Sequence, residues 1–123
     1  MKIYYAHCMS IYGTSQEERD IEILESLGFE VANPNTIENQ EGMEEYISNG
    51  GVGMSYFTER LIIQCDALAF RGLPDGSIPG GIAKELIAAR QLEMPVIELP
   101  NFSLRKYLSK GETREYLKEV GQR

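Results

Sequence analysis

The chain has no tryptophan, one histidine and two cysteines among its 123 residues. One histidine, with no cysteine pair at metal spacing, leaves too few ligands for a zinc site, and no metal is expected. The cysteines do not form a disulfide framework. Cys8 follows the first predicted strand and Cys65 precedes the third, which puts them at opposite edges of a parallel sheet and out of reach of each other. Free thiols fit a reducing cytoplasm, which is the expected location. Basic residues are scarce: 12 Lys and Arg stand against 19 Asp and Glu, a net charge of −7. A nucleic-acid polymer, whose binding rests on clustered cations, is therefore not an expected partner. No apolar run approaches the roughly 20 residues of a membrane span. The first strand begins at Lys2 with no leader ahead of it, so neither membrane nor secretion is expected. There is no repeat, low-complexity tract or linker, and residues 1–123 suit one domain with one core. A P-loop Gly-Lys-Ser/Thr and a G-x-G-x-x-G dinucleotide fingerprint are both missing.

The most informative stretch present is CDALAFRGLPDGSIPGGIAKELIAARQLEMPVIEL, from Cys65. Ala67 to Phe70 reads as a buried strand, Gly72 to Gly81 as a glycine-rich turn, Ile82 to Glu93 as a helix and Val96 to Leu99 as a second strand. A strand–turn–helix–strand unit makes the two strands parallel, with a right-handed crossover. Pro79 suits a first helical position, and Gly80 and Gly81 let backbone amides approach a ligand. Free amides and the helix dipole make such an end attractive to anions. Glu85 is four residues beyond Gly81, on the same helical face, and its side chain leans back toward the turn. A carboxylate beside an anion site points to chemistry on a sugar or base next to a phosphate.

The rest of the chain supplies a second unit of this kind. Lys2 to Ala6 reads as the first strand. Thr14 or Ser15 caps a helix, with Glu17 or Glu18 completing a capping box. Ile21, Ile23, Leu24 and Leu27 form its apolar stripe, and Gly28 ends it. Phe29 to Ala32 is the second strand, stopped by Asn33-Pro34-Asn35. A short acidic helix around Glu41, Glu44 and Glu45 follows, then a joint at Gly50, Gly51 and Gly53, then a helix from Met54 to Gln64. Its inner side holds Phe57, Leu61 and Met54. Leu104, Tyr107 and Leu108, then Tyr116, Leu117 and Val120, mark one or two terminal helices around Gly111. The expected fold is α/β: a flavodoxin- or Rossmann-like parallel sheet of four to five strands, order 2-1-3-4, with helices on both faces. Ligands bind such sheets where the order reverses, at the carboxyl ends of the first and third strands.

That position makes His7 and Cys8 candidates for substrate binding; Cys8 has no evident base to make it a nucleophile. Ser77, Gly80 and Gly81 are candidates for holding a phosphate. Glu85 is the candidate nucleophile or base, and Glu59 a candidate second carboxylate. Tyr4 and Tyr5 alternate across the first strand, one to each face, and a phenol there is able to position a carboxylate. Met43, Tyr46, Met54, Tyr56 and Phe57 flank the glycine joint and suit stacking on a base, as a mobile cover.

With Lys2-Ile3-Tyr4-Tyr5-Ala6, Leu27-Gly28-Phe29-Glu30-Val31 to Pro34, Cys65-Asp66-Ala67, Gly81 to Glu85 and Met94-Pro95-Val96-Ile97, the chain resembles the nucleoside 2-deoxyribosyltransferase-like superfamily, including its deoxynucleoside 5′-monophosphate N-glycosidase branch, over residues 2 to 99. The resemblance implies that Glu85 attacks the anomeric carbon, that Tyr4 orients it, and that Ser77, Gly80 and Gly81 bind the 5′ end. It implies a nucleoside or nucleotide substrate, no cofactor, and a homodimer or higher homo-oligomer in which a neighbour completes the site. Pro79 stands where relatives carry Asp or Ser, Ile82 where Thr follows glycine, and Thr58 where the second carboxylate is expected, with Glu59 one place on.

The expected activity is cleavage or exchange of an N-glycosidic bond. A non-catalytic nucleotide-binding or sensing module is the alternative that Pro79, Ile82 and Thr58 favour. Pro79-Gly80-Gly81 with a later glutamate is also similar to the lysine-decarboxylase-like phosphoribohydrolases, whose motif is two residues longer. A flavodoxin-like interaction domain without a small ligand is a third option.

Overall fold

The computed structural model describes residues 1–100, 107–119 and 121, apart from the side chains of Met54 and Tyr116. Four parallel strands, β1 (Lys2–Ala6), β2 (Glu30–Ala32), β3 (Ala67–Phe70) and β4 (Val96–Glu98), pair in the order β2-β1-β3-β4. Tyr4 lies between Ala32 and Leu68, and Ala6 opposite Phe70. β1 and β3 are central and almost entirely buried, whereas β4, at the edge, is largely exposed. The sheet is thus the expected one, with four strands and the reversal between β1 and β3.

Alternation along β1 divides the core. Tyr4, Ala6, Leu68 and Phe70 face one side and pack with Leu61, Ile62, Ile82 and Ala89. Ile3, Tyr5, Ala67 and Ala69 face the other and pack with Leu24 and Leu99. The first side is covered by α4 (Gly80–Gln91) and the segment before β3; the second is covered by α1 (Ser15–Ser26). Each fully buried Leu or Ile contributes about 1.5–3 kcal/mol relative to exposure, so both layers are needed to hold the sheet.

α1 starts at Thr14, whose hydroxyl accepts from Glu17 N at 3.4 Å. The reciprocal bond of a capping box is shifted by one residue: Glu17 accepts from Gly13 N at 3.2 Å. Gly28, at φ +91°, takes the left-handed position that ends the helix. The inner face of α1 is Glu17, Asp20 and Leu24, while Leu27, expected in the apolar stripe, is 61% exposed. Ile21 and Ile23 are partly buried against the same core, and Glu17 and Asp20 join the inner face because both find buried partners.

α2 (Ile37–Ser48) is longer than the short helix expected and is capped by Thr36, which accepts from Asn39 N at 3.1 Å. Gly42 lets it close on the next segment, since a Cβ there would overlap the Tyr56 hydroxyl. The helix expected over Met54 to Gln64 is broken into three kinds of turn: α3 (Gly53–Tyr56), a π-helical turn (Phe57–Leu61) and a 3-10 turn (Ile62–Gln64). The expected helix after the glycine-rich turn begins two residues earlier, at Gly80, with Pro79 as its N-cap and not its first residue. Gly111 lies inside α5 (Lys110–Glu119), the one terminal helix among the described residues. Leu104, Val120 and the Tyr116 side chain, assigned above to the terminal helices, lie outside the described residues. Cys8 and Cys65 are both free. Their strands are neighbours, so they are separated along the strands, not across the sheet edges. No helix among the described residues is long and apolar enough to cross a membrane.

Candidate functional site

At the carboxyl ends of β1 and β3 the chain leaves two loops, His7–Gly13 and the segment from Arg71 to Pro79. Between them and α2 lies a cavity of about 450 Å³. Its floor is Tyr4 from β1 and Gly81, Ile82 and Glu85 from α4; Met43 and Phe57 close it from the α2–π-turn side.

Glu85 is 7% exposed, and its Oε2 is buried with no hydrogen-bond partner. Burial raises its pKa to about 7, against a smaller opposing effect of hydrogen bonding with Tyr4. The Tyr4 phenol is pushed far up, first by its own burial and then by the carboxylate in front of it, so it stays a neutral donor. Tyr12, in the first loop, also lines the cavity; burial and the nearby Glu85 raise it to about 12. The N-terminus of α4 has no side-chain cap, and its first intrahelical bond is from Ala83 N to Pro79 O, 2.9 Å. The amides of Gly80, Gly81 and Ile82 precede that bond and carry the positive end of the helix dipole.

His7 also lines the cavity, but its nitrogens are engaged. Nδ1 donates to Tyr5 O at 3.0 Å, and Nε2 lies 2.7 Å from Glu17 Oε2. Its ring stacks on Tyr5, with centroids 3.7 Å apart. Glu17 accepts in turn from Asn35 Nδ2, at 3.2 Å to each oxygen. Beside this group, Asp20 is fully buried and accepts from Tyr5 OH at 2.5 Å, from Arg71 Nε at 2.6 Å and Nη2 at 2.7 Å, and from Gln16 Nε2 at 2.9 Å. The two clusters tie both loops to α1 and fix the rim of the cavity.

Of the residues singled out from the sequence, Tyr4, His7, Cys8, Gly81 and Glu85 meet around the cavity. Cys8 is half-buried, and hydrogen bonds from Ser10 lower its thiol pKa. Ser77, Gly80 and Glu59 are not brought to it. Ser77 is exposed, and its amide and hydroxyl both donate to Asp75 Oδ1, at 2.9 and 2.6 Å. Gly80 faces outward. Glu59 is exposed and accepts from Tyr46 OH at 2.8 Å, on a separate groove with Lys84 and Ile87. Tyr46 and Tyr56 pack on each other, rings 5.8 Å apart, and do not line the cavity. The Met54 side chain lies outside the described residues.

Sequence reasoning missed Tyr12, Gln40, Asp20 and Arg71. Gln40 lines the cavity and donates to Pro34 O at 2.9 Å. A signal for Asp20 was available: Glu17, Asp20 and Leu24 share one helical face, so acidic residues sat where the core should be. Arg71 and Tyr12 had no local signature. No group of three or more metal-binding side chains occurs among the described residues. No family model, curated protein or solved structure matches the chain.

Proposed function

We propose that the protein cleaves, or exchanges the base of, the N-glycosidic bond of a nucleoside or nucleoside 5′-monophosphate, with Glu85 as nucleophile. One observation carries this reading: a buried carboxylate with a free oxygen, Tyr4 beside it, in an apolar cavity next to uncapped helix amides. An isolated buried carboxylate is costly and is retained where its charge is used. Glycosidic cleavage develops positive charge on the sugar carbon, and a carboxylate beneath it stabilises that charge or bonds to it. Glu85 would attack the anomeric carbon as the carbon–nitrogen bond breaks, its electron pair leaving with the base. Water, or a second base, would then attack the glycosyl ester and free the carboxylate. A 5′-phosphate on the α4 amides would supply remote binding energy that holds the sugar over Glu85. The location that fits such a metabolic enzyme is the cytoplasm, and the assembly that fits it is a homo-oligomer.

A second reading, a nucleotide-binding or sensing module, is favoured by Glu59: it is held by Tyr46 and leaves Glu85 as the one carboxylate lining the cavity among the described residues. Incubation with a panel of nucleosides and 5′-monophosphates separates the two. Release of free base that falls by roughly 10³-fold or more in Glu85→Ala supports the enzyme. Tight binding by the wild type with no release supports the module.

A further inference from the structure

The walls around Glu85 say something about the ligand's base. No Lys or Arg lines the cavity among the described residues, and the ring nitrogens of His7 are committed to Tyr5 and Glu17. The Glu85 oxygen therefore meets no lysine or arginine among the described lining, and it has no hydrogen-bond partner. The same cavity is lined by the aromatic residues Tyr12 and Phe57 and by Met43, with the largely exposed Met9 at its edge. Such faces are poor partners for an anion and good ones for a flat, delocalised cation. A chain with a net charge of −7 adds a long-range preference of the same sign.

We propose that the ligand is an N-glycoside whose base is itself cationic, a pyridinium or N-alkylated purinium ring joined to the sugar through its charged ring system. This rests on reading the Glu85 cavity as an N-glycoside site and narrows it to one substrate class. The ring charge pairs with Glu85 while the ring lies between aromatic and thioether walls.

The chemistry agrees with this choice. A neutral base leaves as an anion and requires a proton. Glu85 must be ionised to attack, and the rest of the described cavity has little to give: both phenols, Tyr4 and Tyr12, hold theirs more firmly than usual, and Ser10 favours the thiolate of Cys8. Glu59 is on a different groove. A cationic ring needs no proton. As Glu85 bonds to the anomeric carbon, the electron pair of the carbon–nitrogen bond neutralises the ring, which departs as an uncharged molecule. Water then cleaves the glycosyl ester, giving the free sugar, the Glu85 carboxylate and one proton to solvent.

Nicotinamide mononucleotide and uridine 5′-monophosphate share ribose and 5′-phosphate and differ in the charge of the base. Titration calorimetry of the full chain at pH 8 should find the first bound about tenfold or more tighter. In Glu85→Gln that preference should disappear while uridine 5′-monophosphate binds as before. Equal or tighter binding of uridine 5′-monophosphate to the wild type overturns the proposal, a result that does not depend on the variant's folding. A preference that survives Glu85→Gln overturns it too. Release of uracil without any preference for the cation leaves the N-glycosidase reading standing and removes this one. Binding of neither probe overturns this proposal, and base release across the nucleoside panel decides the N-glycosidase reading.

Discussion

The two faces of the sheet hold buried carboxylates in opposite circumstances. On the α1 face, Asp20 receives four hydrogen bonds, two of them from Arg71 in a fork, and nothing about it is left unsatisfied. On the α4 face, Glu85 keeps a buried oxygen with no bond at all. Adjacent residues of one strand, Tyr5 and Tyr4, serve them: the first closes a network, and the second attends an open site. Burial alone therefore does not mark function. What separates the two is whether the cost of desolvation has been met by neighbours.

Opposite signs of stability change should follow from this contrast. Asp20→Ala leaves Arg71 buried without its carboxylate and should cost about 3–5 kcal/mol, read by urea denaturation. A loss below about 1 kcal/mol would mean that the network is ornamental.

Glu85→Gln should do the reverse. Its pKa is raised from 4.5 to about 7 in the folded chain. Below 4.5 the folded and unfolded states both hold the proton, and stability is unaffected. Between 4.5 and about 7 the unfolded chain ionises first, so stability falls as pH rises; above about 7 the whole penalty remains. The substitution should thus stabilise by about 3 kcal/mol at pH 8 and by little near pH 4. A protein that is most stable above pH 7, with no gain from Glu85→Gln, would show that the carboxylate already has a partner.

The smallest effects belong to residues that neither face buries. Ser77→Ala and Glu59→Gln should shift nucleotide affinity by less than about 0.5 kcal/mol in titration calorimetry. A larger loss in Ser77→Ala would bring the Asp75–Ser77 turn into the site.

The sequence announced the sheet because its signals are local. Ala67 to Phe70 is an unbroken apolar run, Gly28 a helix stop, and the spacing of Gly81 and Glu85 one turn of helix. From these the strand order and the placing of Glu85 at the reversal follow by topology. The Asp20–Arg71 pair was not legible in this way, since its partners are 51 positions apart and their meeting depends on how α1 crosses the sheet. Ser77 misled for a local reason. Its turn is closed by Asp75, so the donors that suggested an anion site are used within the loop, and hydrogen bonding to Ser77 holds the Asp75 carboxyl below its usual range. Glu59 misled because it stands one place from where the resemblance puts a second carboxylate; it faces a separate groove, on a segment expected as one helix but broken into three kinds of turn.

That irregularity has an outcome of its own. In the Phe57–Leu61 turn the helix is wound wider than usual, with Ile62 N bonding back to Phe57 O, so the residues after it are set back relative to an α-helical count. Phe57 is thereby free to look toward the crevice while Leu61 and Ile62 look toward the sheet. Deleting one residue here would restore uniform winding but swing one of these groups through about 100°. The surplus residue lets one segment act as wall and as foundation, and indels in this family of shapes should be tolerated elsewhere before they are tolerated at this turn.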